Sequence, residues 1–272
     1  MKKIFLVNDD GYKSPGLLAL ITILQKEYDL SIVSTKGQRS WTAKSISYRN
    51  EVNQEIDKIA GKKVVVLDGL PADCTNIGLN HFTSPKADLV VSGINIGANV
   101  TTSWTLSSAT VGASLEAAIL GYPAMAFSQR LLTSEIFNTL TKNPRPSQAK
   151  HFQLSAKLSK LIIERVLKTP FPSSIKLLNI NFPPQETYVN KWKLAYPYEW
   201  NYGSIFTQIR KRVFKKTGGE VLKQQEIVDR NCDVWQINNG VVSITPYNLP
   251  LCPVLNEEVK TYFAKTFPEY FK

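Results

Sequence analysis

Histidine is almost missing from this sequence: His81 and His151 are the whole supply. A three-histidine zinc centre is therefore excluded, and a histidine-based triad has only these two residues to draw on. Cysteine is nearly as scarce. Cys74, Cys232 and Cys252 are odd in number and far apart, so the chain encodes neither a disulfide framework nor a zinc knuckle. A bound metal would have to rest on oxygen ligands, which points to Mg²⁺, Mn²⁺ or Ca²⁺. No apolar run approaches the roughly 20 residues that a membrane helix needs. Only four apolar residues separate Met1-Lys2-Lys3 from Asn8-Asp9-Asp10, too few for the apolar core of a signal peptide. No internal repeat or low-complexity tract is evident. These absences lead us to expect a soluble, reduced, cytoplasmic protein with no membrane partner.

What is present builds a core. The 272 residues are 43% hydrophobic and 10% aromatic, enough for one large domain or a domain with an appendage. Lys and Arg number 33 against 22 Asp and Glu, a formal charge of +11. That excess suggests an anionic partner, whether phosphorylated metabolite, nucleic acid or acidic surface.

The pattern alternates strand and helix. Lys3 to Val7 is a buried-type strand that stops at Asn8-Asp9-Asp10-Gly11. Ser14-Pro15-Gly16 opens a helix whose Leu17, Leu20, Ile21 and Leu24 share one face. Leu30 to Val33 is the next strand, and a crossover of that length favours parallel pairing. Further strands are expected at Lys63–Leu67, Asp88–Ser92, Pro123–Ser128, Lys176–Asn181 and Val241–Thr245. Helices are expected at Pro71–Asn80, Thr110–Leu120 and Ser147–Lys168, the last with Leu154, Leu158, Leu161, Ile162 and Val166 as its apolar face, and at Asn256–Phe267. A polar loop would run from Gly93 to about Ala109. This order predicts a three-layer α/β fold around a mostly parallel sheet, with ligands at the carboxyl ends of its strands.

The composition changes near residue 190. Residues 191–230 carry nine Lys and Arg against four acids, interleaved with seven Trp, Tyr and Phe. Alternation around Gly218-Gly219 suggests a long β-hairpin or a small β-rich unit.

Four loops are candidates for chemistry. Asp9 and Asp10, adjacent carboxylates at a strand end, suit a hard divalent cation that relieves their repulsion; the plainer account is an ordinary turn. The stretch Val91-Ser92-Gly93-Ile94-Asn95-Ile96-Gly97-Ala98-Asn99 leaves room for a ligand, and Asn95 can offer oxygen to a metal or an amide to phosphate. Ser107-Ser108-Ala109-Thr110 opens a helix, where hydroxyls and free N–H groups hold anions or merely cap. Arg39-Ser40 joins them by topology alone. Together they fit one hard cation beside a phosphate pocket.

These same residues resemble the SurE family of survival-protein nucleotidases. The resemblance rests on Asn8-Asp9-Asp10-Gly11 with Pro15-Gly16, on Asp68-Gly69-Leu70-Pro71-Ala72-Asp73-Cys74 and on Val91 to Asn99. Ser108-Ala109-Thr110-Val111-Gly112-Ala113 and Val242-Ser243-Ile244-Thr245-Pro246 complete it. It implies a metal-dependent phosphomonoesterase acting on nucleoside 5′- and also 3′-monophosphates, with short polyphosphate as a further substrate. By position it implies Asp9, Asp10, Ser40 and Asn95 as ligands of one Mg²⁺ or Mn²⁺ per subunit. Asp9 and Asp10 would be catalytic, and Asn99, Ser108 and Thr110 would contact phosphate. It further implies a Rossmann-like catalytic domain over residues 1–190. Residues 191–272 would then form a β-hairpin and helix extension that returns a strand to the core and joins subunits into a homodimer or homotetramer. The chain departs from the family pattern at Trp41, Ala109 and Thr102-Ser103. The rival expectation is a basic RNA-binding protein without catalysis, motivated by the 191–230 stretch. A dinucleotide oxidoreductase is disfavoured, because the first strand-to-helix turn lacks G-x-G-x-x-G.

Overall fold

The computed structural model describes residues 1–142, 144–216 and 227–249. Its centre is a nine-stranded sheet. In chain order the strands are β1 (Lys3–Val7), β2 (Asp29–Thr35), β3 (Gln54–Ile59), β4 (Lys62–Leu67), β5 (Leu89–Ile96), β6 (Ala124–Gln129), β7 (Leu177–Phe182), β8 (Trp192–Leu194) and β11 (Val242–Tyr247). Their spatial order is β3-β4-β2-β1-β5-β6-β7-β11-β8. The run from β4 to β7 is parallel, and β3 and β11 pair antiparallel to β4 and β7. The expected three-layer α/β architecture is therefore present.

Side-chain alternation in β1 builds the layers. Ile4 and Leu6 point into a core shared with α1 (Pro15–Leu24) and α6 (Gln153–Lys168), while Phe5 and Val7 point to the opposite side. There they meet α2 (Pro71–His81) and α4 (Ala109–Ile119). After β1 the chain first moves outward through β2 to β4, then returns to place β5 on the other flank of β1. The crevice above β1 and β5 is thus the topological switch point, where open α/β sheets bind ligands.

Several expectations need correction. The strand begun at Leu89 continues to Ile96, with its register against β6 shifted between Ser92 and Asn95. The supposed loop up to Ala109 holds a short helix, α3 (Thr101–Ser107). Strand β3 and helix α5 (Ser134–Lys142) were not expected; β3 is exposed along most of its length and carries no apolar run. Before α6 the chain forms a 3-10 turn, Pro146–Phe152, and the buried face of α6 is Ser155, Ala156, Ser159, Ile162 and Ile163, leaving Leu161 exposed. The hairpin is β9 (Phe206–Arg210) with β10 (Val213–Lys216), turning at Lys211-Arg212. Gly218-Gly219 and the expected helix Asn256–Phe267 lie outside the described residues. A further helix, α7 (Asp233–Asn238), precedes β11. Among the described residues no helix is long and apolar enough to cross a membrane.

Candidate active site

β1 delivers Asn8, Asp9 and Asp10 to the switch point, and Asn8 fixes the turn by accepting the Asp10 N–H at 2.6 Å. This is the backbone duty that an ordinary Asx turn performs, and it leaves both aspartates for other work. They are buried, 3% and 8% exposed. Asp9 Oδ1 accepts the Thr110 hydroxyl at 2.7 Å. Asp10 Oδ2 accepts the Ile96 N–H at 2.9 Å, and its Oδ1 receives a long contact from Gln38 Nε2 at 3.5 Å. No Lys, Arg or His among the described residues forms an ion pair with either carboxylate. Burial pushes the Asp9 carboxyl above its ordinary range, against the opposing pull of the Thr110 hydroxyl. Burial pushes Asp10 higher still, and the neighbouring Asp9 charge adds to it.

A cavity of about 630 Å³ opens over this turn. Asp9, Ser40, Asn95, Asn99 and Ser108 all line it, so four loops distant in sequence do meet. Ser40 is carried by an exposed loop that the Arg39 N–H ties to the Asp9 carbonyl at 2.7 Å. Asn95 donates its amide to the Gly97 carbonyl at 2.9 Å, which turns its oxygen away from that bond. Asp9 is the one acidic residue and Lys216 the one basic residue lining the cavity among those described. Neither histidine lines it.

The phosphate-side residues fall differently. Ser108 caps α4, its oxygen accepting the Val111 N–H at 3.2 Å. The two preceding N–H groups, of Ala109 and Thr110, have no carbonyl within the helix to bond and give that end of the cavity a positive dipole. Thr110 itself does not line the cavity, because its buried hydroxyl is spent on Asp9. Asn99 donates to Ser128 Oγ at 2.8 Å, so one amide hydrogen is committed and the other remains.

Sequence reasoning missed what grips Asn99. Its N–H donates to Asn181 Oδ1 at 2.8 Å, and its carbonyl accepts from Asn179 at 2.8 Å, Asn181 at 3.2 Å and Thr105 at 3.1 Å. Asn179 and Asn181 lie two apart on the buried strand β7, among Leu178, Ile180 and Phe182. Two amides on one face of an otherwise apolar strand was the available signal. From the other side, Asp233 accepts the Thr101 N–H at 2.8 Å and the Tyr198 N–H at 3.1 Å. Burial pushes its carboxyl up to about 6.

Chemically, the cavity offers a hard cation the Asp9 carboxylate and the neutral oxygens of Ser40 and Asn95, with an amide, a hydroxyl and a helix N-terminus beside them; Asp10 is buried next to Asp9, bonded to Ile96 and Gln38, and does not itself line the cavity. Among the described residues no cluster of three or more His, Cys, Asp or Glu competes as a metal site.

Comparison with known proteins agrees in outline. Residues 4–204 match the family model described as "Survival protein SurE". The chain is 30% identical to the 5′-nucleotidase SurE of Archaeoglobus fulgidus over 261 residues, covering 92% of each protein. It is 32% identical to the 5′-nucleotidase SurE of Methanoregula boonei, with 96% of this chain and 98% of that one covered. The crystal structure of the SurE protein from Aquifex aeolicus superposes with a TM-score of 0.74 at 27% identity, over 97% of this chain and 99% of that one.

Proposed function

The chain belongs to the SurE family, and on that premise we propose that it hydrolyses nucleoside 5′-monophosphates to nucleoside and phosphate, using one divalent cation per subunit. The observation that carries the reading is a pair of buried, adjacent carboxylates with no protein cation bonded to them among the described residues, of which Asp9 opens on a cavity otherwise lined by neutral groups and Lys216. Two like charges desolvated side by side are costly, and a hard divalent ion is the partner that offsets the cost. The donor set fits Mg²⁺ or Mn²⁺: all ligands are oxygen, from Asp9, Asp10, Ser40 and Asn95.

When bound, the cation supplies Lewis-acid polarisation of the phosphoryl oxygens and a water of lowered pKa. The chain's own residues do the rest. Asn99, Ser108 and the α4 N-terminus hold the phosphoryl oxygens, donating most strongly as negative charge builds on them. Thr110 locks the orientation of Asp9. Asp9, the only acid lining the cavity among the described residues, would take up a proton there. Buried Asn179, Asn181 and Ser128 keep Asn99 in place, so little reorganisation is needed on binding.

Activity toward 3′-monophosphates and short polyphosphate forms part of the proposal, as does a cytoplasmic location. We further assign residues 191–272 to assembly into a homodimer or homotetramer. The exposed Phe206, Ile209 and Phe214 of the hairpin support that role.

The test is phosphate release from AMP with Mg²⁺ or Mn²⁺, then with EDTA, for wild type and for Asp9→Asn and Asp10→Asn. Turnover should need the cation and vanish in both variants. The cation should also raise the melting temperature of wild type and not of the variants. Cation-independent turnover, or full activity in both variants, would refute the assignment.

A further inference from the structure

The cavity is much larger than a cation and a phosphate require, and part of its wall is aromatic. Trp41, Trp104 and Phe137 line it together with Ile96 and Lys216. Trp41 sits edge-on to Tyr202 at 6.0 Å between ring centroids, Tyr202 to Trp200 at 6.3 Å, and Trp200 to Trp104 at 5.2 Å. The Lys216 ammonium lies 4.6 Å from the centre of the Trp41 ring. Tyr202 and Trp200 therefore link and brace the two tryptophans that line the cavity.

Trp41 is held there at a cost. Its backbone has φ 65, the left-handed region that a bulky side chain seldom occupies. Strain of this kind persists where the surroundings hold it and clusters at ligand sites. Trp41 is also 45% exposed, so the strain is not explained by burial in a core.

Resting on the phosphomonoesterase reading above, we propose that Trp41, with Trp104, is the specificity wall of this site and packs against the base of the nucleoside monophosphate. A flat aromatic base matches a flat aromatic wall, and stacking on such rings is tolerant of base identity. Asp9, beside which the phosphate would sit, lines the same cavity as both tryptophans, so one pocket would hold base and phosphate together. Phosphomonoesters without a ring would use the acidic end only and gain nothing from the wall.

The experiment compares kcat/KM for AMP with kcat/KM for β-glycerophosphate, which has no base. In Trp41→Gly, which relieves the backbone, and in Trp41→Leu, which keeps apolar bulk, the ratio should fall about five- to a hundredfold, chiefly through KM for AMP. Trp41→Phe should restore it to within about threefold of wild type, and Trp41→Gly should melt no lower than wild type. An unchanged ratio, or equal loss on both substrates, overturns the wall while leaving the phosphomonoesterase reading intact. Wild-type protein that releases phosphate from neither compound ends that reading and the wall with it.

Discussion

Gly112→Ala should be destabilising, although a helix usually gains from that change. Gly112 lies in α4 where the helix presses on the loop carrying Ser40. A Cβ at this position would stand 2.1 Å from the Ala43 oxygen, 2.5 Å from its carbonyl carbon and 2.8 Å from the Lys44 nitrogen. All three are backbone atoms, so no rotamer can yield, and loop or helix must retreat by about 1 Å to restore ordinary contact. The loop is pinned on both sides of that contact. Ala43 N–H donates to the Ser107 carbonyl at 3.2 Å, and Lys44 reaches the buried Glu116 at 2.6 Å. Helix propensity favours Ala by about 1 kcal/mol, while overpacking against fixed backbone costs up to about 3 kcal/mol. The clash wins by about 2 kcal/mol, which lowers the melting temperature by roughly 4–8 °C in a chain of this size. Because Ser40 rides on the displaced loop, kcat/KM should fall by about a hundredfold, the usual result of a 1 Å misplacement. Thermal denaturation followed by circular dichroism and phosphate release from AMP measure the two effects. A variant that melts higher and turns over normally would show that α4 and the loop do not approach this closely.

The grip on Asn99 should show an order of effects. Asn181→Leu strands a buried N–H and removes one of three donors to the Asn99 carbonyl, so it should cost about 1–3 kcal/mol and most of kcat/KM. Asn179→Leu leaves Asn181 and Thr105 on that carbonyl and should cost less; urea titrations in the opposite order would contradict the network. Asp233 sets a pH dependence. Burial raises its folded pKa from 3.8 to about 6, so the folded state holds its proton more tightly than the unfolded chain. The associated stability is fullest below pH 3.8 and is lost as pH rises through 6, about 3 kcal/mol across that window. Melting curves of Asp233→Asn should show a flatter pH slope there, and a slope equal to wild type would rule Asp233 out as its source.

The parallel core was readable because burial and register leave few alternatives. β1 to β7 are mostly short apolar or β-branched runs between turn residues, and the helices packed on them begin with Pro15, Pro71 and a Ser108 cap. What escaped notice lacks that contrast. β3, Gln-Glu-Ile-Asp-Lys-Ile, is an exposed edge strand recognisable only through its antiparallel partner β4. In α6 the expected apolar face omits the small residues Ser155, Ala156 and Ser159, yet they face inward where the helix packs against α1. Leu161 is displaced to the surface by the same rotation. The loops of the site were identifiable one by one, as carboxylates, Gly turns and a capped helix. Their tertiary bonds were not, since nothing local says that Thr110 will spend its hydroxyl on Asp9 or that Asn181 will hold a residue 82 positions away.

The distribution of charge makes the final link between fold and chemistry. With 33 basic residues available, a lysine beside Asp9 and Asp10 would have been an easy neutralisation, as Lys44 provides for Glu116 on the adjacent helix. The switch point instead surrounds its two aspartates with Thr110, the Ile96 amide and Gln38. None of these carries charge, and together they fix the carboxylates without neutralising them. Lys216 lines the same cavity but is associated with the Trp41 ring. On the proposed reading, a site that orients buried carboxylates and withholds a protein counter-ion would take a mobile cation, and a cation there beside a helix N-terminus would attract a phosphate. The aromatic lining proposed above as a specificity wall would then decide which phosphate ester stays long enough to react.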